Sequence, residues 1–157
     1  MKSPPDNLLP GDILLYKPSD LMGILIAVKT WAWLSHVECY VGGGRVIAAR
    51  IQGVNVYAER VDKYLVAVRR PKTSDFDIGG AWKAIESMMG KPYEVSAFWE
   101  FFNPMIHRYR ASRICSSVAT AWLRGGGCQP FNPEFEDSDA SPAQLWQTPE
   151  LDTIWEA

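Results

Sequence analysis

Few residues in the chain are equipped for covalent chemistry. The cysteines are Cys39, Cys115 and Cys128, and the histidines are His36 and His107. Cys115 ends the run Ser112-Arg113-Ile114-Cys115. With Ser112 as the cap, its thiol lies in the first turn of a helix, where the macrodipole and the leading backbone amides favour an anion. A thiolate there can attack a carbonyl carbon, and the same amides can receive the developing oxyanion. The competing reading is that cysteine, often buried, fills a gap in the core.

A nucleophilic thiol needs a base. His36 opens a strand-like run directly after Trp33-Leu34-Ser35, whereas His107 lies among Pro104, Arg108 and Arg110 in what reads as a solvated linker. A strand-end cap or a buried imidazole are the other readings of His36, so the case rests on the Cys115–His36 pair. Glu38, two positions on, shares a strand face with His36 and is the candidate to orient the imidazole, with solvent exposure as its alternative. Tyr16, at the end of the first strand, and Ser116, next to the thiol, are candidates for oxyanion or substrate binding; a rim aromatic is the alternative for Tyr16. Cys39 points to the opposite strand face and is expected in the core, and Cys128 is expected to be buried or idle. No Cys or His spacing resembles a metal set, and the glycine triplets at 42–44 and 125–127 lack the features of a phosphate loop. No metal or cofactor is expected.

The elements that must hold these residues fit one domain. A length of 157 residues allows one ordinary core. With 47% hydrophobic and 22% charged residues, wholesale disorder is excluded. A net charge of −2 removes the basic footprint of a dedicated nucleic-acid binder. Three cysteines without a C-x-x-C argue against a disulfide scaffold or a zinc ribbon. The opening MKSPPDNLLPGD has no apolar core of a signal peptide, so Sec-type export is not expected. The longest apolar stretch, Leu21–Leu34, contains Lys29 and is too short to span a bilayer. Residues 125–157 hold seven acidic residues and no Lys or Arg, which marks an acidic C-terminal extension of the 1–157 domain. Trp146 and Trp155 within it argue that it packs back on the body.

The pattern predicts strands at Asp12–Tyr16, His36–Val41, Arg45–Arg50, Val54–Tyr57 and Tyr64–Arg70, the second and third joined by a glycine turn. It predicts a helix from Ser19 with the face Leu21, Ile24, Leu25, Val28, then helices over Ile78–Met89, Ser112–Arg124 and, from the Ser141-Pro142 start, through Trp146. Between the middle two lies an aromatic connection with Tyr93, Phe98, Trp99, Phe101, Phe102 and Tyr109. The sum is an α+β domain: a small, curved antiparallel sheet or partial barrel packed against the helix that bears Cys115.

Five segments occur in an order shared with a known family. They are Pro10-Gly11-Asp12-Ile13-Leu14; Ser35–Gly42 with Gly44-Arg45-Val46-Ile47; Gly90-Lys91-Pro92-Tyr93-Glu94; Ile114-Cys115-Ser116-Ser117-Val118-Ala119; and Ser141-Pro142-Ala143-Gln144-Leu145. Together they resemble the circularly permuted branch of the NlpC-like papain-type cysteine hydrolases over nearly the whole chain. The resemblance implies Cys115 as nucleophile and His36 as base. It also implies an acidic third residue at position 48, but this chain has Ala48 there. Glu38 is one substitute. Arg50 shares the face of Ala48, but a cation disfavours the imidazolium. A dyad without a third member and an inactive domain are the remaining alternatives.

The function this implies is an amidase or peptidase working through an acyl-enzyme on peptidoglycan stem peptides, with the Phe98–Phe102 cluster near the cleft. Without a signal peptide, the chain is expected to be cytoplasmic when made and then virion-associated, as in a phage tail, or delivered to the periplasm; virion or assembly proteins would be its partners. Two other readings stand beside it. One is a lipid acyl hydrolase or acyltransferase resembling the lecithin–retinol acyltransferase type, with Trp31, Trp33, Leu34 and the Phe98–Phe102 cluster meeting lipid. The other is a non-catalytic binding or assembly module, which the Ala48 departure favours.

Overall fold

The run Ile13-Leu14-Leu15-Tyr16 is apolar at consecutive positions rather than alternate ones, as expected of a strand covered on both faces. The computed structural model, which describes residues 5–19, 24, 33–50, 52–60, 62–91, 113–137 and 140–157, makes it the strand β1 (Ile13–Tyr16), with all four side chains buried. Its partners are β2 (His36–Gly42), β3 (Arg45–Arg50), β4 (Gly53–Ala58), β5 (Leu65–Pro71) and β6 (Leu151–Glu156). They form one antiparallel sheet in the order β4-β3-β2-β1-β5-β6. The β2–β3 hairpin turns through Gly42, Gly43 and Gly44, at φ of 99°, 61° and 68°, a region that side chains with a Cβ rarely enter.

Alternation along the strands divides the interior in two. One face carries Ile13, Leu15, Val37, Cys39, Ile47 and Ala49 against the helices, while the other carries Leu14, Tyr16, Tyr40, Val46, Leu65 and Val68. The helices are α1 (Ile78–Ile85), continued by a short 3-10 turn to Met88, α2 (Arg113–Gly125) and α3 (Pro142–Gln147). Asp77 caps α1 by accepting from the Gly80 amide, and Ser141 with Gln144 forms a reciprocal capping box at α3. α1 and α2 cross at two glycines. A Cβ on Gly80 would come within 2.4 Å of the Gly125 carbonyl oxygen, so larger residues would force the helices apart. Their contact is filled by Trp122, which meets Trp82 edge-on at 5.5 Å.

The α+β class and the antiparallel sheet agree with the expectation from sequence, and the expected strands and later helices lie within a few residues of the observed ones. The strand β6 is an addition to it. The acidic C-terminal region does pack on the body. Arg69 donates to the carbonyls of Trp146, Thr148 and Leu151, and Arg124 pairs with Asp137 at 2.6 Å. The predicted helix over Leu21–Val28 lies outside the described residues except for Ile24, which is helical. The aromatic connection, His107 and the Ser112 cap lie wholly outside them.

Candidate active site

β2 and α2 build the site. β2 begins at His36 and so offers its imidazole at the end of the sheet, while Glu38, two residues on, projects from the same face. α2 packs across β2 and β3, and Cys115 is its third residue. The result is a hydrogen-bonded succession: the Cys115 thiol meets the His36 ring, and His36 Nε2 meets Glu38 Oε1 at 3.1 Å. With Nε2 turned to the carboxylate, Nδ1 is the nitrogen available to the sulfur. The set is graded in burial, since Glu38 is wholly buried whereas the His36 side chain keeps 22% of its surface exposed.

A fourth group completes the cluster. Arg50, at the end of β3, donates from Nη2 at 2.8 Å and from Nε at 3.2 Å to the same Glu38 oxygen that faces His36. Its guanidinium lies 4.4 Å from the centre of the Tyr57 ring, a cation–π contact. Continuing the β2–β3 register (Tyr40 opposite Val46, Cys39 opposite Ile47) sets Ala48 opposite Glu38. The small, buried Ala48 thus stands across the strand pair from the carboxylate.

These contacts decide the charges. Burial works against protonating His36, but the hydrogen bonds and charges of Cys115 and Glu38 outweigh it and push the imidazole up to about 9. Burial likewise works against ionising Glu38, yet His36 and Arg50 together hold its carboxyl below the usual range. At neutral pH the imidazolium therefore sits between the Cys115 sulfur and the Glu38 carboxylate. Burial pushes the Cys39 thiol far up, and burial with the Glu150 charge pushes Cys128 up to about 11.

Of the residues singled out from sequence, Cys115, His36 and Glu38 come together. The hydroxyls of Tyr16 and Ser116 are engaged elsewhere. Tyr16 is fully buried, its hydroxyl donates to the Arg60 carbonyl at 2.7 Å, and burial together with the nearby Glu38 keeps it a neutral phenol. Its proton is committed away from any oxyanion at Cys115. Ser116 is also fully buried, and its hydroxyl donates to the Ala140 carbonyl at 2.6 Å, tying α2 to the segment before α3. Arg50 is the functional group that sequence reasoning weighed only against His36. The signal for it was a cation on the strand paired with the one carrying a buried acid.

Among the described residues, no three His, Cys, Asp or Glu side chains group as metal ligands, and no helix is long and apolar enough to cross a membrane. Compared with models of known protein families and with curated proteins, the chain matches none.

Proposed function

We propose that the chain is a cysteine hydrolase of the amidase or peptidase type, built on the circularly permuted NlpC-like papain fold that its motif order resembles. The observation that carries this reading is the succession Cys115–His36–Glu38, three residue types in the contact order that nucleophilic catalysis requires. In the first half-reaction the sulfur of Cys115, its proton carried by His36 as the imidazolium, adds to the carbonyl carbon of the substrate. The positive end of α2 favours the resulting oxyanion. Collapse expels the amine, which takes the proton from His36, and leaves a thioester on Cys115. In the second half-reaction His36 removes a proton from water, the hydroxide attacks the thioester, and the thiol re-forms as the carboxylate product departs. Glu38 holds Nε2–H throughout and stabilises each imidazolium.

Peptidoglycan stem peptides are the substrate class that the family resemblance favours, with delivery to the wall from a virion or at lysis as the setting. Replacing Cys115 or His36 by Ala is expected to cut release of peptides from isolated muropeptides by at least about a thousandfold. Iodoacetamide at mildly acidic pH is expected to label Cys115 ahead of Cys39 and Cys128. Full turnover in either variant, or equal labelling of the three thiols, would leave a binding module as the better account.

One observation favours a second reading, action on lipid acyl groups. Trp33 is 86% exposed and stands three residues before His36, where an aromatic could meet a lipid surface. Leu34, expected beside it, is buried instead. Release of fatty acid from phospholipid vesicles without muropeptide cleavage would select this reading.

A further inference from the structure

Glu38 has no exposed surface, and its donors converge on one atom. Oε1 accepts from His36 Nε2 at 3.1 Å and from Arg50 at 2.8 and 3.2 Å, while Oε2 has no partner within hydrogen-bond distance among the described residues. A buried carboxylate needs a counter-charge to remain ionised. His36 can serve only while it is an imidazolium, and a general base is neutral for part of every turnover. Without another cation, Glu38 would meet that interval by taking the Nε2 proton from the imidazolium, leaving a neutral ring whose remaining proton sits on Nδ1, the nitrogen the thiol needs free. The guanidinium of Arg50 is permanently charged. It also lies over the Tyr57 ring, 4.4 Å from the ring centre.

We propose that Arg50 is a positioning residue that keeps Glu38 ionised, with Oε1 aimed at His36 Nε2, through both halves of the thiol–imidazole cycle. This rests on the hydrolase reading and extends it to the regulation of its proton traffic. The proton of Cys115 travels to Nδ1 and back, while the Nε2 proton stays on His36 and none is passed to Glu38. The other titratable or charged groups around the carboxylate do not substitute for Arg50. Tyr16 on β1 is a neutral phenol, Cys39 on β2 is held as a thiol by burial, Cys115 on α2 lies across His36, and Arg60 beyond β4 leans over the Tyr16 ring at 5.2 Å and pairs with Asp62.

The test uses the full chain, with the His36 ring followed by NMR across pH alongside turnover. In Arg50→Met, the low-pH step of the ring signals, where Glu38 takes up its proton, is expected to rise by roughly one unit or more. kcat/KM at neutral pH should fall roughly ten- to a hundredfold. Arg50→Lys should keep the low-pH step yet lose part of the rate, because one ammonium cannot reproduce the two-nitrogen grip. Adding Arg50→Met to Glu38→Gln should cost nothing further, since Arg50 acts only through the carboxylate. An unmoved low-pH step in Arg50→Met, or an equal extra loss in the Glu38→Gln background, overturns the proposal. If Arg50→Met does not fold, a wild-type rate in Arg50→Lys overturns it instead. Failure of the hydrolase reading looks different: the wild-type chain would cleave no amide or ester, while the His36 titration would still report whether Arg50 holds Glu38.

Discussion

Among the described residues two buried carboxylates, Asp12 and Glu38, meet arginines, and the two pairs are built in opposite ways. Asp12, beside β1, meets Arg70 as a matched fork: Nε reaches Oδ1 and Nη2 reaches Oδ2, each at 2.7 Å, and the Leu9 amide adds a third bond at 2.8 Å. Both oxygens are engaged, and the pair ties the segment before β1 to β5. Glu38 takes both Arg50 nitrogens on one oxygen and shares that oxygen with His36. The first arrangement exhausts its acceptor and only holds chain segments together. The second concentrates donors on one atom, and one of those donors is a titrating group in contact with a thiol. Buried acid–arginine pairs are therefore not evidence of function by themselves; the way the donors divide between the two oxygens separates a brace from a device.

The comparison breaks most readily by neutralising each acid in turn. Glu38→Gln should cost roughly ten- to a thousandfold in kcat/KM, because the amide can present the wrong group to Nε2. Asp12→Asn should leave turnover near wild type but lower unfolding stability by about 2–3 kcal/mol, since the Arg70 guanidinium and the Leu9 amide lose a charged acceptor. Denaturant titration with a turnover assay on both variants checks this. A large rate loss in Asp12→Asn with wild-type stability would erase the distinction.

The next effect is a pH dependence that belongs to one pair only. The His36 pKa rises on folding from 6.5 to about 9, so its contribution to stability is complete below 6.5 and is lost as pH climbs through about 9. Turnover needs the same imidazolium to protonate the leaving group, and it should fall across the same upper limit. Glu38 is shifted down from 4.5, so its contribution is complete above that value and is lost as pH falls below it. Between about 4.5 and 6.5 both are fully present. Unfolding midpoints and rates across pH should show the upper limit in the wild type and in Asp12→Asn, and a weaker, lower one in Glu38→Gln, where Cys115 alone still raises His36. An upper limit equally strong in Glu38→Gln would remove the carboxylate from the site.

How much of this was legible in sequence follows from the range of each interaction. The Cys115–His36 pair was accessible because histidines are scarce and because a helix-start cysteine signals itself locally. Glu38 followed from the two-residue period of a strand, which needs no tertiary knowledge. Arg50 was judged as a neighbour of His36, where a cation is unfavourable; its attachment to Glu38 depends on the β2–β3 register and on the burial of the acid, neither of which is local. The partner of the Tyr16 hydroxyl was not legible for a similar reason, since its acceptor, the Arg60 carbonyl, is 44 residues away in the chain. The strand β6 was missed because an edge strand has little to bury. Its sequence Leu-Asp-Thr-Ile-Trp-Glu is mostly exposed or half-exposed and carries two acids, so its apolar alternation is weak. What places it is pairing with β5 and the Arg69 grip on the preceding carbonyls.

The smallest effect sharpens the comparison from the arginine side. Arg50 is steadied by the Tyr57 ring, and the Tyr57 hydroxyl separately donates to the Gly53 carbonyl at 2.8 Å. The ring and the hydroxyl therefore do different things, and two variants part them. Tyr57→Phe keeps the ring under the guanidinium and loses only a local bond within β4, so it should cost about 1 kcal/mol of stability and leave the rate alone. Tyr57→Leu removes the π face as well. A cation–π contact at a partly exposed site contributes about 0.5–1 kcal/mol, which corresponds to a roughly two- to fivefold fall in kcat/KM if the guanidinium loosens its hold on Glu38. That fall should vanish when Tyr57→Leu is combined with Glu38→Gln, because the ring reaches the reaction only through Arg50 and the carboxylate. If Tyr57→Phe slows turnover as much as Tyr57→Leu does, the ring is not what steadies the guanidinium, and the contrast with Asp12–Arg70 must rest on the shared oxygen alone.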